Sequence, residues 1–249
     1  MPLTVHQFPC LSDNYGFLIR DEASGKVATI DTPDAQAIQA QLDTLGWKLD
    51  LILNTHWHPD HAGGNEALKA ATGATIAGPA EVTRIAPLDR VLRGGDTIQL
   101  GETKFEVIDA GGHTLGHIAY HDAEGAIAFV GDTLFALGCG RLFEGTPEQM
   151  WDSLSRVADL PDDTTVYCAH EYTASNARFA LSVDDDPALK ARADQIFAAR
   201  KRGEPTVPTT IAAEKATNPF LRAPLLRPDA ASPAQAFAEI RAAKDSFKG

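Results

Sequence analysis

From Thr55 to His61 the chain reads Thr-His-Trp-His-Pro-Asp-His, so that three histidines and an aspartate fall within six residues. With 8 histidines in 249 residues, chance puts well under one in such a window. The apolar run Asp50–Leu53 leads straight into the cluster and reads as a buried strand, which places the histidines at that strand's C-terminal end. In an extended chain a spacing of two turns His56 and His58 to the same side. Asp60 and His61 follow on a turn that Pro59 helps to fix. Imidazole with carboxylate is a borderline donor set that suits zinc, iron or manganese better than calcium. A fold for this chain has to bring such strand ends together around an ion.

The same placement recurs three times. Gly111-Gly112-His113-Thr114-Leu115-Gly116-His117 follows a strand ending near Ile108, Gly131-Asp132-Thr133 follows Ile127–Val130, and Ala169-His170-Glu171 follows Val166–Cys168. A lone histidine at a strand end is usually structural. Four strand ends carrying His or Asp point to one site, with ligands enough for two ions.

Around these motifs the first 130 residues read mainly as short strands parted by turn clusters, with helices over about Thr32–Leu45 and Asn65–Thr72. Thr32-Pro33-Asp34 looks like an N-cap followed by proline, and Gly46 reads as the stop. Pro147–Leu160 and Thr164–Cys168 form a further helix and strand. Beyond His170 the segments Ala174–Val183, Pro187–Arg202, Thr209–Ala216 and Pro233–Phe247 all read as helices. A boundary is therefore expected near 172/173, between a mixed α/β body over 1–172 and a helical region over 173–249. Strands alternating with helices in two blocks suggest packed sheets with helices outside.

Charge divides at the same place. Residues 1–172 hold 10 Lys and Arg against 25 Asp and Glu, net −15, whereas residues 173–249 hold 12 against 9, net +3. An acidic body repels nucleic acid, so no nucleic-acid partner is expected. No stretch has the ~18 apolar residues of a membrane span. The start, Met1-Pro2-Leu3-Thr4, lacks the basic and apolar regions of a signal peptide. The sparse, odd set Cys10, Cys139 and Cys168 argues for free thiols in a reducing cytoplasm. Nothing demands more than a monomer.

His-x-His-x-Asp-His with the later Gly-His-Thr-x-Gly-His, Gly-Asp-Thr and His resembles the metallo-β-lactamase superfamily. The resemblance implies an αββα sandwich with the metal site at one edge of its two sheets. It implies that His56, His58 and His113 hold one ion, that Asp60, His61 and His170 hold a second, and that Asp132 bridges them. The metals would be two divalent ions per chain, zinc foremost, with iron or manganese also admitted. These motifs say little about substrate, because many activities share them.

The flanks are more telling. Gly138-Cys139-Gly140-Arg141-Leu142-Phe143-Glu144-Gly145-Thr146, His170-Glu171-Tyr172-Thr173, Asn218-Pro219-Phe220-Leu221-Arg222 and Lys244-Asp245-Ser246-Phe247 are similar to the hydroxyacylglutathione hydrolase (glyoxalase II) family, over essentially the whole chain. This likeness implies hydrolysis of S-(2-hydroxyacyl)glutathione, typically S-lactoylglutathione, to glutathione and a 2-hydroxy acid, D-lactate, in methylglyoxal detoxification. Asp60 and Asp132 would then serve a hydroxide shared by the two ions. Arg141, Phe143, Tyr172, Arg241 and Lys244 would hold the glutathione part, the last two on a helical region most of the superfamily lacks. Phe143 stands where several relatives carry tyrosine, and Trp57 and Pro59 also depart from many relatives at positions that are not ligands.

Other residues read more plainly. His117 is expected to orient its neighbours, and His6 and His121 to be structural. Cys10 and Cys168 are expected in the core. Cys139 lies near the proposed site, but no spare histidine is left to act as its base. Gly63 and Gly64 lack the Lys-Ser/Thr context of a phosphate loop. Arg241, Lys244 and Lys248 fall on one helical stripe beside Phe237, Ile240 and Phe247. Rival readings are a mono-iron glutathione persulfide dioxygenase of the same fold, a lactonase or β-lactamase, and an inert metal-binding module.

Overall fold

Tyr15, Phe17, Leu18 and Ile19 are all buried, although successive side chains of a strand point to opposite faces. A strand buried on both faces belongs in a middle layer. In the computed structural model, which describes residues 3–249, that strand is β2 (Asn14–Asp21). Met1 and Pro2, which open the N-terminal stretch read above, lie outside the described residues.

The chain divides into two compact units. One runs to Asp109 and resumes over Gly116–Gly131; the other comprises Ala110–Leu115 and Asp132–Gly249. In the first unit β1 (Leu3–Cys10), β2, β3 (Val27–Ile30), β4 (Leu49–Leu53), β5 (Thr75–Gly78) and β6 (Arg90–Val91) form one sheet in sequence order. β1, β2 and β3 are antiparallel, and β3 to β6 are parallel. β7 (Thr97–Leu100), β8 (Thr103–Asp109), β9 (Ile118–Asp122) and β10 (Ile127–Gly131) form an antiparallel meander.

The inner faces of these sheets meet where Phe17 stands edge-on to Phe129, centroids 5.8 Å apart, and Tyr120 donates to the carbonyl of Asn54 at 2.6 Å. On the outer face of the first sheet lie α1 (Ala35–Leu45) and α3 (Asn65–Thr72). Ile38, Leu42 and Leu68 pack there against Leu18, Ile52 and Ile76. Each such side chain taken from water contributes ~1.5–3 kcal/mol.

Helix α1 begins later than the sequence suggested. Its N-cap is Asp34, whose carboxylate accepts from the amides of Gln36 and Ala37, and Gly46 closes it in the left-handed conformation. The Thr32 hydroxyl is engaged elsewhere, donating to Asn65 Oδ1 at 2.8 Å. Ala126 precedes β10 at φ +52° and turns the chain into it.

The second unit holds the hairpin β11 (Leu134–Phe135) and β12 (Gly138–Cys139), then α4 (Pro147–Ala158) and β13 (Thr165–Cys168). From there it is mostly helical, with α5 (Thr173–Val183), α6 (Pro187–Lys201), α7 (Ile211–Thr217), α8 (Ala223–Leu226) and α9 (Pro233–Ser246). The two-residue β14 (Thr209–Thr210), paired with β13, replaces the expected start of a helix there. Thr210 instead caps α7 through its hydroxyl, which accepts from the amide of Ala213. Among the described residues no helix is long and apolar enough to cross a membrane.

Candidate metal and substrate site

In the first unit β4 ends at Leu53, and Asn54, Thr55 and His56 follow it fully buried. Pro59 opens a short helix, α2 (Pro59–Ala62), which needs no amide at its first position and carries Asp60 and His61. His56 Nε2 and His58 Nδ1 face each other at 3.0 Å, and His56 Nδ1 lies 3.0 Å from the Thr55 hydroxyl. Ligand atoms of His56 and His61 also lie within 4.8 Å of each other, as do those of Asp60 and His61. Two nitrogens bound to one tetrahedral ion at ~2.0–2.1 Å stand ~3.3 Å apart, so this donor set fits a divalent metal. The ring of His117 is stacked on that of His56 at 4.7 Å. Trp57 lies under the Arg84 guanidinium at 4.7 Å.

Asp31, at the end of β3, organises this loop and was not singled out in the sequence. Its carboxylate accepts from the amide of Thr55 at 2.7 Å and the hydroxyl of Thr55 at 2.8 Å, and lies 2.8 Å from His61 Nδ1. Its backbone is left-handed, φ +57°, a conformation aspartate tolerates better than most residues. Gly131 is left-handed too, at φ +49°. A Cβ there would stand 2.6 Å from the Thr55 hydroxyl and 2.7 Å from His117, so this position requires glycine.

In the second unit Asp132 divides its carboxylate between two imidazoles. Oδ2 lies 3.4 Å from His113 Nε2 and Oδ1 lies 3.3 Å from His170 Nε2. A carboxylate so placed could serve as a ligand through either oxygen. His113 Nδ1 is fixed by the carbonyl of Arg141 at 2.8 Å, which leaves Nε2 as the nitrogen that could bind an ion. Gly140 lies against the Asp132 carbonyl, where a Cβ would collide with it.

His113 and Asp132 also line a cleft of about 510 Å³, together with Arg141, Phe143, Tyr172 and Lys244. The Tyr172 ring lies parallel to that of His170 at 4.7 Å, and Phe143 stands edge-on to His113 at 5.2 Å. Lys244 is half-buried, its Nζ 3.3 Å from both the carbonyl and the hydroxyl oxygen of Ser175. Burial, then the nearby Arg241, Arg178 and Arg141, lower its pKa to about 8. Arg178, on α5, is a cation of this cluster that the sequence reading missed.

The expected helical stripe is altered in two ways. α9 ends at Ser246, so Lys248 lies beyond it. Arg241 is 7 % exposed and donates to the Cys139 carbonyl at 3.1 Å, pairs with Asp245 at 2.7 Å, and lies over the Phe220 ring. It lines the cleft, but its charge is already matched and its guanidinium braces the backbone. Burial pushes the Cys139 thiol up to about 11, which removes it as a nucleophile at neutral pH. His6 bonds Gln41 at 2.9 Å, and His121 is buried, its pKa lowered by burial. Cys10 and Cys168 are buried free thiols.

Residues 17–170 match the metallo-beta-lactamase superfamily, and residues 171–247 match the hydroxyacylglutathione hydrolase C-terminus. The chain is 56% identical, over 98% of its length and 100% of the relative's, to a hydroxyacylglutathione hydrolase of Erythrobacter litoralis. It is 57% identical to one from Maricaulis maris, covering 98% of this chain and 99% of the relative. Among solved structures, ETHE1 of Myxococcus xanthus superposes with a TM-score of 0.71 at 28% identity, covering 96% of this chain and 90% of that one. TTHA1623, solved in a di-iron-bound form, gives a TM-score of 0.64 at 26% identity, covering 88% of this chain and 100% of that one.

Proposed function

Because the chain belongs to the hydroxyacylglutathione hydrolase family, within the metallo-β-lactamase superfamily, we infer that it hydrolyses the thioester of an S-(2-hydroxyacyl)glutathione, S-lactoylglutathione foremost, to glutathione and a 2-hydroxy acid. It has the metallo-β-lactamase fold with a helical C-terminal region, as its motifs led us to expect. The observation that carries the substrate reading is a single cleft lined both by the ligand-type residues His113 and Asp132 and by the cations Arg141 and Lys244.

The superfamily and the His/Asp cluster fit divalent metal binding. In this reading His56, His58 and His113 would hold one ion and Asp60, His61 and His170 the other, with Asp132 a ligand that could serve both. Zinc is the metal proposed, though the same donors accept iron or manganese. Such ions, when bound, acidify water and polarise a carbonyl oxygen.

The chain's own residues do the remainder. Asp31 and the Arg141 carbonyl hold His61 and His113 in the tautomers that free Nε2. Asp60 is held by Asn14, whose amide donates to Oδ2 at 3.1 Å, so the carboxylate keeps one orientation. Tyr172 and Phe143 wall the cleft, and Lys244 and Arg141 attract the carboxylates of glutathione. The leaving thiolate, with a conjugate acid near ~8.5, departs without a proton donor, which favours a thioester over an amide.

In function the division falls near 172/173, with a catalytic body and a helical substrate-binding region. The enzyme works as a monomer in the cytoplasm, a reducing setting that suits three free cysteines, and takes neither nucleic acid nor membrane as partner. No specific observation favours the mono-iron or inert readings. The test is loss of thioester absorbance from S-lactoylglutathione with the metal content of the same preparation. Oxygen uptake with glutathione persulfide in place of hydrolysis would overturn the reading.

A further inference from the structure

We propose that Asn218 is a positioning residue for the reaction: with Glu214 it clamps the hairpin Leu134–Cys139, and so sets where Asp132 and Arg141 stand. The proposal rests on the reading of Asp132 and His113 as metal ligands. The hairpin turns on two residues, Ala136 and Leu137, and Leu137 is left-handed at φ +57°. A leucine rarely adopts that conformation and persists in it only where its surroundings over-determine it.

The surroundings do so through buried side chains of the helical region. The amide of Leu137 donates to Glu214 Oε2 at 2.9 Å. Asn218 Nδ2 reaches the carbonyls of Phe135 and Gly138, at 3.2 and 3.0 Å, and lies 2.9 Å from Glu214 Oε2. Asn176 donates to the carbonyl of Ala136 at 3.1 Å, and Arg241 to that of Cys139. Glu214 is itself held by Arg192 and by the Thr209 hydroxyl. Four of the hairpin's carbonyls thus accept from side chains that come from three separate stretches of the helical region.

A network this polar is an expensive way to fill a core, and an apolar one would stabilise as well. What it adds is position. Asp132 enters the hairpin and Gly140-Arg141 leaves it, and the Arg141 carbonyl fixes His113. One displacement of the hairpin therefore moves a bridging carboxylate, an imidazole and a wall of the cleft together. Tyr172 and Lys244, on other elements, would stay in place.

The test is Asn218→Ala in the metal-loaded full chain, read by kinetics and by the visible spectrum of the cobalt-substituted protein. We expect kcat per folded, loaded chain to fall at least ~10-fold, with a smaller rise in KM as Arg141 shifts with the hairpin. The cobalt bands should shift with the ligand field of Asp132. Unchanged kcat and unshifted bands, even with a lower melting temperature, overturn the proposal, because a purely structural role would give that result. A fall in kcat with unshifted bands overturns it as well. If Asn218→Ala does not fold, Asn176→Ala, which removes the Ala136 bond and also alters the cleft wall that Asn176 lines, decides by the cobalt bands alone. A wild-type chain that hydrolyses no thioester would refute the function reading instead, and the cobalt spectra would still judge the hairpin.

Discussion

Nδ1 of His61 lies 2.8 Å from Oδ2 of Asp31, and that contact fixes which ring nitrogen can reach an ion. With Nδ1 engaged, Nε2 is the nitrogen left to reach an ion, and a carboxylate partner makes such a nitrogen a better donor. Asp31 also accepts twice from Thr55, so an asparagine in its place turns one acceptor into a donor and leaves Thr55 or His61 poorly matched. Asparagine tolerates the left-handed backbone, so the fold should survive. Asp31→Asn is expected to weaken metal binding ~10–100-fold, measured by competition with a chromophoric chelator. An unchanged affinity would show that Asp31 braces the loop without tuning the ligand.

Asp132 stands between His113 and His170, one oxygen toward each. Asp132→Ala should lower the metal content from about two per chain, because seven ligand side chains exceed what one four- or five-coordinate ion uses. Activity should fall with it. A fully loaded, fully active variant sinks the bridging assignment. His6→Ala, which loses only a bond to Gln41, should hydrolyse thioester at the wild-type rate.

These two residues mark how far the sequence could be read. His56, His58, His61 and Asp132 were legible as candidate ligands because they stand at strand ends in short, recognisable strings. Asp31 was not, since its partners are 24 and 30 residues away and its role depends on a left-handed backbone that no local pattern announces. The helices of the C-terminal region were visible from their periodicity, whereas the clamp of Asn218 on a hairpin some 80 residues earlier was not. Arg241 illustrates the same limit. The stripe alone read as a solvated face and only the family resemblance gave Arg241 a part in binding substrate; its bond to a carbonyl 102 residues distant was visible in neither.

Phe143, 62 % exposed at the cleft, can accept a hydroxyl without crowding a core. Phe143→Tyr should lower KM for the glutathione thioester by about two- to twelve-fold and leave kcat nearly unchanged, as one added hydrogen bond of ~0.5–1.5 kcal/mol predicts. Initial rates over a range of substrate concentrations check this. An unchanged KM would mean that the ring's edge does not face substrate.

Lys244 should give substrate binding a pH dependence. It must be protonated to attract a carboxylate, and its pKa in the folded chain is about 8, lowered by burial and by Arg241, Arg178 and Arg141 against the single opposing charge of Asp245. KM is therefore expected to rise as pH climbs through about 8. The sign for stability is opposite. A lysine whose folded pKa lies below its unfolded value disfavours folding when charged, so its cost is present in full below about 8 and disappears above about 10.5. Lys244→Gln should flatten the rise in KM, and an equal rise in that variant would assign the titration to another group.

The two cations of α9 should then behave differently. Glutathione's two carboxylates and one ammonium leave its thioester with a single net negative charge, and it must approach a body of net charge −15 over residues 1–172. Lys244→Glu places a carboxylate beside the incoming ones and should raise KM at least ten-fold, or ~1.4 kcal/mol. The effect should shrink as salt rises, because partly exposed charges are screened over ~8–10 Å. A small thioester without the glutathione peptide should be hydrolysed as before, with metal content unchanged. Arg241→Glu sets a buried carboxylate against Asp245 and releases the Cys139 carbonyl, so it should lower the melting temperature and slow both substrates alike. If Lys244→Glu also slows both substrates alike, α9 supports the fold without reading the substrate. If it slows neither, the positive wall of the cleft is only a solvated face, and the glutathione assignment loses its physical basis.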